Sequence, residues 1–594
     1  MTPALQPSLA SILFDRLGWT DEYLAEVNDP SHPELMGTPE FVEALRGIRE
    51  RGDQVVVLPD FDTDGVTSGV IAYAALGQLG FDVGVHFPDY RYGHDVVPGA
   101  VDDARAAFPD ARALLVTDGG TNSHAGIARA KVLFDTVLVT DHHLQLPSPE
   151  PLAADVLVNP CRLDETYPHT GICGAHVVYQ LVLSYARAHA PGQVPVLERL
   201  ALFAGLGTVA DVMPLLYENR GLVRRSVSLM RLMYGCPDYH DSPLFASVAA
   251  EYKKGLVCSQ YVDAFAGFGQ LLDALREDGS VRDAFLREDL AAFYLAPAVN
   301  SARRVLSDGS NAFRVFVGRD PAGRQAAVRA VLADNVERRR LTEEWMEDLA
   351  VRDQPLAPYV WRSDAPKGFL GLLASRLSEL HDRPVAVVRP DDRGGFSGSA
   401  RAPEGVDVVS AFAPVPGIGA VGHAQACGVF ADASDALVVM ADALAALQAA
   451  RPAPATVPVL GLVLGDAPDA DSVRPSSAEL LDLVDRIAEQ APFGYGFPEP
   501  LHRVAVDPAR AVVAPIGQET VDDDGNVLAE AGRHTRITVL DTGLKLLWWN
   551  SAAQRALLPG PDDGAPPMEF HVALGANDFC GTVSPQGVVK QRLA

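Results

Sequence analysis

Three aspartates alternate in the string DFDTDG, where an apolar run gives way to a helix-like segment. Asp60, Asp62 and Asp64 follow directly after Val55–Leu58, and alternating carboxylates of this kind bind divalent cations. A calcium loop of the EF-hand type has similar spacing, but its twelfth position needs a glutamate where this chain has Ile71, and a helix must precede it. Helix capping explains only one of the three aspartates. The string therefore indicates a cation site.

More carboxylates and two histidines follow other apolar segments. Asp118 ends the string ALLVTD, the string VLVTDHH ends in Asp141, His142 and His143, and Asp211 lies in GTVADVMPL. Imidazole mixed with carboxylate suits Mn²⁺, Fe²⁺ or Zn²⁺, whereas an all-oxygen set suits Mg²⁺ or Ca²⁺. A mixed set with aspartate in excess predicts Mn²⁺ or Mg²⁺.

The elements that position these side chains are short β-branched runs separated by amphipathic segments. Four such runs stand out: Val55–Leu58, Ala113–Val116, Val137–Val139 and Val156–Val158. This alternation is typical of βαβ units in a parallel sheet. Ligands of such sheets bind beyond the carboxyl ends of the strands, where Asp60, Asp118 and Asp141 stand. The pattern predicts an α/β protein with a convergent acidic crevice.

The rest of the chain divides by composition and periodicity. We predict five segments: a parallel-sheet α/β domain (1–230), a helical region ending in one long polar helix (231–353), a second α/β domain (354–455), a linker with a helix (456–500) and a small β-barrel (501–594). In the barrel, Trp548 and Trp549 alternate, so one should face inward and the other outward, either to stack on a base or to pack against another domain.

Charge and composition limit the class of protein. With 48% hydrophobic residues and a formal net charge of −28, the chain is globular and is not coated with cationic surface, so any nucleic-acid path must be a local groove. The six cysteines form no CxxC pair and no apolar run reaches the roughly 18 residues of a membrane span. We expect a cytoplasmic protein with reduced cysteines and no membrane partner.

The order of these motifs resembles the DHH phosphoesterase superfamily, in particular its RecJ family of 5′→3′ single-strand DNA exonucleases. DFDTDG, VTDGG, VTDHH and GTVADVMPL, followed by Glu218–Arg220, come in the family order. The later strings LAPAVNSARR, DNVERRRLTEEW, GFLGLLASRL, GSARAPEGVDV, VGHAQACG and PFGYGFPEP keep that order. The resemblance implies a DHH domain, a DHH-associated second α/β domain and an oligonucleotide-binding (OB) barrel.

The resemblance also implies two divalent cations, usually Mn²⁺, with Mg²⁺ as the alternative. The implied ligands are Asp60 and Asp62 for one cation, Asp64, His142 and Asp211 for the other, and Asp118 as the bridge. Asp141 would orient His142 or bind weakly, and His143 would face the scissile phosphate. Two cations would activate water, so no covalent nucleophile is needed.

Substrate selection is expected from the second half of the chain. Ser399 and Arg401 resemble the family's terminal-phosphate clamp, and a guanidinium fork suits phosphate. Further candidates for the nucleotide path are Arg91, Arg304, Asn335, Arg338, Arg376, Gly422 and His423; solvated surface arginines are the alternative for the cationic ones. Gly417–Gly422 satisfies GxGxxG, but a dinucleotide fingerprint needs a preceding strand and a following acidic residue.

Several positions depart from the family pattern. Ala298 stands in place of an arginine, Arg303 and Val421 in place of glycines, Ala365–Gly368 in place of Trp-His-Pro-Gly, and Gly119 in place of asparagine or histidine. These changes touch the expected substrate channel and leave the metal set complete.

The resemblance implies hydrolysis of single-stranded DNA to mononucleotides in repair or recombination, with a single-strand-binding protein or a helicase as candidate partner. A hydrolase of short oligonucleotides or small phosphoesters is one alternative, although it would gain little from an OB-like barrel. A non-catalytic nucleic-acid-binding scaffold is another, and it would be expected to have lost metal ligands.

Overall fold

A computed structural model divides the chain into two units. One comprises Pro30–Pro454, and the other combines Met1–Asp29 with Ala455–Ala594. The structure describes residues 8–89, 92–235, 239–254, 257–277, 279, 281, 286–305, 308–351, 359–391, 394–403, 405–451, 459–465, 472–517, 520–521, 527–529, 532–549, 551–579 and 582–593.

A five-stranded parallel sheet forms the centre of the first domain, as the apolar runs predicted. Its strands are β1 (Val55–Pro59), β2 (Val83–Val85), β3 (Ala113–Thr117), β4 (Thr136–Thr140) and β5 (Val156–Val158), in the order β2-β1-β3-β4-β5. Pro59 pairs with Thr117 and Thr117 with Thr140, so three strands end level. The strand order reverses between β1 and β3, which is where open α/β sheets bind ligands.

Helices cover both faces of this sheet. The first ten helices of the chain are α1 (Leu9–Leu17), α2 (Asp21–Val27), α3 (Thr38–Arg51), α4 (Thr63–Gln78), α5 (Pro98–Ala107), α6 (His124–Leu133), α7 (Gly174–His189), α8 (Val194–Leu197), α9 (Ala201–Ala210) and α10 (Tyr217–Tyr234). Val55 and Val57 pack with α4, α7 and α9, whereas Val56 and Leu58 pack with α5 and α6. Burial on both faces explains the continuous apolar run in β1.

A helical region follows, as predicted. It contains α11 (Pro243–Lys253), α12 (Ser259–Glu277), α13 (Glu288–Leu290), a π-helical turn (Ala291–Leu295), α14 (Ala296–Val299), α15 (Ser301–Val305), α16 (Ser310–Val317) and α17 (Pro321–Val351). The helix α17 is the long polar helix of the sequence. Its Leu341, Trp345 and Leu349 pack into the core of the second α/β domain, so α17 connects the two domains of this unit.

The second α/β domain has a mixed sheet. Its strands are β6 (Val360–Arg362), β7 (Val385–Pro390), β8 (Phe396–Arg401), β9 (Ile418–His423) and β10 (Ala426–Ala431), in the order β6-β7-β8-β10-β9, with α18 (Lys367–His381), α19 (Val408–Phe412) and α20 (Ser434–Ala450). Gly417–Gly422 runs into β9 and does not connect a strand to a helix, so it is no dinucleotide fingerprint.

The other unit is built on a sheet of eight strands. These are β11 (Val459–Gly465), β12 (Ser472–Val473), β13 (Leu501–Val506), β14 (Ala511–Ile516), β17 (His534–Val539), β18 (Lys545–Trp548), β19 (Met568–Phe579) and β20 (Thr582–Arg592), with α21 (Ser477–Ala488), α22 (Ala552–Arg555) and a separate pair, β15 (Thr520–Val521) and β16 (Val527–Ala529). Trp548 packs on Phe570, while Trp549 is 49% exposed, so the two tryptophans alternate. Closure into an OB barrel stays a prediction.

The boundaries of this unit differ from those we drew from the sequence. The segment 456–500 was predicted as a linker with a helix, but β11 belongs to the sheet. Residues 1–29 were placed in the first domain, but Ala10 and Leu13 of α1 join the core that contains Leu462 and Leu480. Trp19 stacks on Phe497, with 5.0 Å between ring centroids. Apolar spacing shows that α1 has a buried face and does not show which core buries it.

Among the residues that the structure describes, no helix is both long and apolar enough to cross a bilayer.

One buried histidine makes the stability of this second unit depend on pH. His502 of β13 is fully buried, and neither ring nitrogen has a hydrogen-bond partner in the described part of the chain. Burial lowers the pKa of His502 to about 3. The unfolded chain takes up this proton near pH 6.5. The free energy of unfolding of this unit should therefore fall as the pH drops from about 6.5 towards 3, by at most about 1.4 kcal/mol per pH unit.

We expect His502→Leu to stabilise the unit by about 1–3 kcal/mol, because two unsatisfied polar atoms are removed. The gain should be larger at pH 5 than at pH 7.5. Denaturant unfolding of the full chain, followed by tryptophan fluorescence, measures it, with the half-buried His571 of β19 changed to leucine as the control. An equal gain at both pH values would contradict this assignment.

Candidate metal centre

Level strand ends bring three aspartates into one row. The amide of Asp60 donates to the carbonyl of Thr117, that of Asp118 to Thr140 (2.8 Å), and that of Asp141 to Val158. Each aspartate thus continues the hydrogen bonding of the sheet by one residue. Asp118 has a left-handed backbone (φ 61°), which an aspartate tolerates better than most residues.

The beginning of α4 supplies the next two carboxylates, and the beginning of α7 supplies amides that bind one of them. Asp62 caps α4 by accepting from the Gly65 amide at 3.1 Å, so the capping interpretation holds for one of the three aspartates. Asp64 lies in the first turn of α4 and accepts from the amides of Gly174 (2.6 Å) and Ala175 (3.1 Å) at the start of α7. The α7 dipole favours this negative charge.

His142 stands at the centre of the carboxylates. Its Nε2 atom is 3.2 Å from Asp118 Oδ1, 3.6 Å from Asp211 Oδ2 and 3.7 Å from Asp64 Oδ2. Asp64, His142 and Asp211 each offer a ligand atom within 4.8 Å of the others, and so do Asp118, His142 and His143. The sequence predicted the first of these sets as one ligand set.

Two unsatisfied oxygens make this cluster fit cations. Asp118 Oδ1 and Asp211 Oδ2 are buried, and neither has a hydrogen-bond partner among the residues that the structure describes. Burial, and then the charges of Asp64 and Asp62, raise the pKa of both carboxyls well above the usual range. Such a group of carboxylates is costly without a compensating positive charge. Together with His142, they fit divalent cations.

Asp141 holds His143 in a charged state. Its Oδ1 accepts from the Nδ1 atom of His143 at 2.8 Å and from the amides of His142 and His143, and its Oδ2 accepts from Thr121. Although burial opposes it, this hydrogen bond raises the pKa of His143 to about 10 and lowers that of Asp141. The sequence assigned Asp141 to orienting His142; the ring that it holds here is that of His143.

His94 also lies at this site, and the sequence analysis missed it. Its Nδ1 atom is 2.6 Å from Asp60 Oδ2, and its Nε2 atom is 2.7 Å from the Nη1 atom of Arg303. Asp60, Asp62 and His94 form a further group of ligand atoms within 4.8 Å. The signal was available, because His94 follows β2 at the carboxyl edge of the sheet.

Partly buried and exposed arginines lie beside the acidic groups. The arginine cluster consists of Arg304 (α15), Arg338 (α17), Arg376 (α18) and Arg401 (β8). Burial, and then the charges of Arg338, Arg303 and Arg401, lower the pKa of Arg304 to about 10. Within the described residues, none of the four pairs with a carboxylate. A group of mutually repelling guanidiniums without carboxylate partners among the described residues indicates an anion-binding site.

Ser399 and Asn335 belong to the same neighbourhood. Ser399 and Arg401 lie two residues apart on β8 and so share a face; a side chain at Gly371 of α18 would meet both. Asn335 Oδ1 accepts from Nε and Nη2 of Arg338 at 3.0 and 2.9 Å. These two hydrogen bonds fix the orientation of the Arg338 guanidinium. The arginine cluster, Ser399 and Asn335 are thus the residues of the predicted nucleotide path that lie in one neighbourhood.

The other predicted path residues are less informative. Gly422 pairs with Cys427 at φ 133°, a conformation that favours glycine for backbone reasons alone. Arg91 lies outside the described residues, as does the side chain of His423. Among the departures from the family, Ala298 is buried and Val421 is 64% exposed.

Comparison with known proteins identifies the class. The DHH family, N-terminal domain, matches residues 54–208. The single-stranded-DNA-specific exonuclease RecJ of Escherichia coli is 28% identical over 94% of this chain and 90% of its own length, and that of Salmonella typhimurium is 27% identical over the same shares. Residues 54–208, which contain the parallel sheet and the DHH motif, therefore match the DHH family, and the chain as a whole resembles RecJ.

The fold has counterparts among solved structures. RecJ from Thermus thermophilus in complex with Mn²⁺ superimposes with a TM-score of 0.69 at 22% identity, covering 98% of this chain and 76% of that one. An exonuclease RecJ bound to manganese gives 0.51 at 25% identity, covering 71% and 97%. The chain therefore has a RecJ-like fold, and its acidic and histidine groups fit divalent cations.

Proposed function

We propose that this protein is a metal-dependent exonuclease that removes mononucleotides from the 5′ end of single-stranded DNA. One observation carries the proposal: a complete set of cation ligands lies beside an arginine cluster that has no carboxylate partner among the described residues. The first can hydrolyse a phosphodiester, and the second can hold a neighbouring phosphate. The RecJ relatives, named as single-stranded-DNA-specific exonucleases, support the choice of substrate.

The metal ligands would divide between two cations. Asp60 and Asp62 would hold one, Asp64, His142 and Asp211 the other, and Asp118 would lie between them. Bound cations supply a water of lowered pKa and neutralise the leaving oxygen. The chain contributes geometry. The amides of α7 hold Asp64 in place. The helix α9 approaches Asp64 closely because residue 207 is glycine; a Cβ at this position would be 2.5 Å from Asp64 Oδ1.

His143 would bind the scissile phosphate. Asp141 holds its ring and keeps it protonated near neutral pH, while 43% of the side chain remains exposed. A protonated imidazole donates from Nε2 when Nδ1 is engaged, so the donor points away from Asp141. Asp118, Asp141 and His143 therefore form the catalytic set of this proposal.

The arginine cluster would position the strand. Arg401 would grip the terminal phosphate with Ser399, and Arg304, Arg338 and Arg376 would neutralise the following phosphates. Guanidinium forks bind phosphate in a defined orientation. A site that holds a terminal phosphate at a fixed distance from the cations would release one nucleotide at each cleavage.

Loss of the Arg401 charge should weaken selection for a 5′ phosphate. For Arg401→Met, we expect kcat/KM on 5′-phosphorylated single strands to fall about 10–100-fold, the equivalent of one charged hydrogen-bonded contact. The rate on 5′-hydroxyl strands should change little. Steady-state kinetics on both substrates measure it, with the exposed Arg362→Met as control; an equal loss on both substrates would argue against a terminal clamp.

The direct test of the function is degradation of 5′- and 3′-labelled single strands of DNA and RNA with Mn²⁺, Mg²⁺ or EDTA. We expect mononucleotides released first from the 5′ label of DNA, and no activity in EDTA. Activity in EDTA would refute the metal-dependent mechanism, and earlier release from the 3′ label would refute the polarity. Preference for dinucleotides over long strands would favour the small-phosphoester alternative.

The biological setting is less constrained than the chemistry. A role in repair or recombination, a single-strand-binding protein or helicase as partner, and the cytoplasmic location stay predictions from the resemblance and the composition.

A further inference from the structure

We propose that His94 is a protein ligand of the cation held by Asp60 and Asp62. The inference rests on the cation-dependent function proposed above and adds a residue to its metal centre. It would make the two ligand sets alike, each with two aspartates and one histidine: Asp64, Asp211 and His142 in one, Asp60, Asp62 and His94 in the other.

The position of the ring carries the proposal. His94 Nδ1 is 2.6 Å from Asp60 Oδ2, and Asp60, Asp62 and His94 each offer a ligand atom within 4.8 Å of the others. The side chain of Asp60 is 5% exposed and that of His94 is 47% exposed, so the imidazole lies on the open side of the carboxylates. Imidazole combined with carboxylate is a donor set that suits Mn²⁺.

Two neighbours hold the ring in place. The Phe61 ring lies against it, with 4.4 Å between centroids. The guanidinium of Arg303 lies 4.6 Å from the centroid of Phe61, and its Nη1 atom is 2.7 Å from His94 Nε2. The packing of Phe61 on His94, with Arg303 on Phe61, would orient a ligating imidazole.

The Arg303 contact specifies the proton on the ring. Because a guanidinium only donates, His94 Nε2 accepts, and in this state the proton of a neutral ring is on Nδ1 and is donated to Asp60. A neutral ring that binds a cation through Nδ1 carries its proton on Nε2. Because Nε2 can then no longer accept from Arg303, the ring loses the Arg303 contact when it binds the cation. The guanidinium of Arg303, next to Arg304 in sequence, then becomes available to an anion.

The experiment measures Mn²⁺ binding by the full chain without DNA. We expect two Mn²⁺ per wild-type chain by calorimetry. In His94→Gln, one site should keep its affinity and the other should weaken about 10–100-fold. His189→Gln is the matched control, since His189 ends α7, the helix whose first residues hold Asp64.

A second readout reports the bond itself. The ¹⁴N modulation in electron spin echo spectra of bound Mn²⁺ should be smaller in His94→Gln than in wild type and in His189→Gln. Two sites of unchanged affinity with unchanged nitrogen modulation in His94→Gln would overturn the assignment of His94 while leaving the proposed function intact. A wild-type chain that binds no Mn²⁺ would refute the proposed function itself.

Discussion

Replacing Asp118 with asparagine is expected to reduce hydrolysis about 10³-fold or more while making the cation-free chain more stable. The residue ends β3 where the strand order reverses, and its Oδ1 atom lies 3.2 Å from His142 Nε2 without a hydrogen-bond partner. Removing a shared carboxylate from a metal centre forfeits several kcal/mol of transition-state stabilisation, and each 1.36 kcal/mol is tenfold in rate.

The gain in stability follows from the sign of the pKa change. Burial and neighbouring carboxylates raise the pKa of Asp118 well above its ordinary value. The carboxyl group of Asp118 loses its proton at a lower pH in the unfolded chain than in the folded chain. Asp118 therefore lowers the stability of the folded state as the pH rises above the pKa of this carboxyl in the unfolded chain. Asparagine has the same shape and no charge, so at pH 7.5 this cost disappears.

Thermal unfolding in EDTA and in Mn²⁺, together with nuclease rates, checks both parts. Asp118→Asn should melt higher than wild type in EDTA and should gain less from Mn²⁺. The exposed Asp110→Asn should behave as wild type in both. Full activity in Asp118→Asn would remove Asp118 from the catalytic set.

A methyl group added at Gly174 is expected to lower activity about 100-fold with the fold retained. Gly174 begins α7 and donates to Asp64 at 2.6 Å, and a Cβ there would lie 2.5 Å from Asp118 Oδ1 and 2.7 Å from Asp118 Cβ. Alanine is otherwise acceptable in a helix. Accommodating the methyl must move Asp118 or α7, and a displacement near 1 Å in a catalytic group costs about 10²-fold.

Mn²⁺ calorimetry, circular dichroism and nuclease rates on Gly174→Ala measure this effect. We expect native helix content, weaker Mn²⁺ binding and the reduced rate. Gly192→Ala is the control, because nothing lies within 4 Å of a Cβ at that position. Wild-type Mn²⁺ affinity in Gly174→Ala would show that the site relaxes around the methyl.

The parallel sheet was predictable because its strands are buried on both faces. The run from Val55 to Leu58 has no polar position, because Val56 and Val57 enter different cores. A continuous apolar run of this kind is needed only in a strand that is covered on both faces. The same logic placed Asp60, Asp118 and Asp141 together, since level parallel strands bring their following residues into a row. The long helix α17 was equally plain from its length and polarity.

What the sequence could not supply were contacts set by packing between distant segments. The position of His94 after β2 was a signal for this edge of the sheet, but its contact with Asp60 depends on the path of the loop, which the acidic strings do not specify. The assignment of the Asp141 partner depends on ring orientation, which adjacent histidines in VTDHH leave undetermined. The core that buries α1 is likewise chosen by Leu462 and Leu480, more than 400 positions away.

That last packing arrangement has a consequence for synthesis. The helix α1 is synthesised before Pro30–Pro454, and the strands and helix that bury Ala10 and Leu13 are made only after that unit. At 5–20 residues per second, its apolar face waits for about 20–90 seconds. During this interval the nascent chain presents an unpaired amphipathic helix, so chaperone binding to residues 9–17 should last until the strands that bury this helix are made.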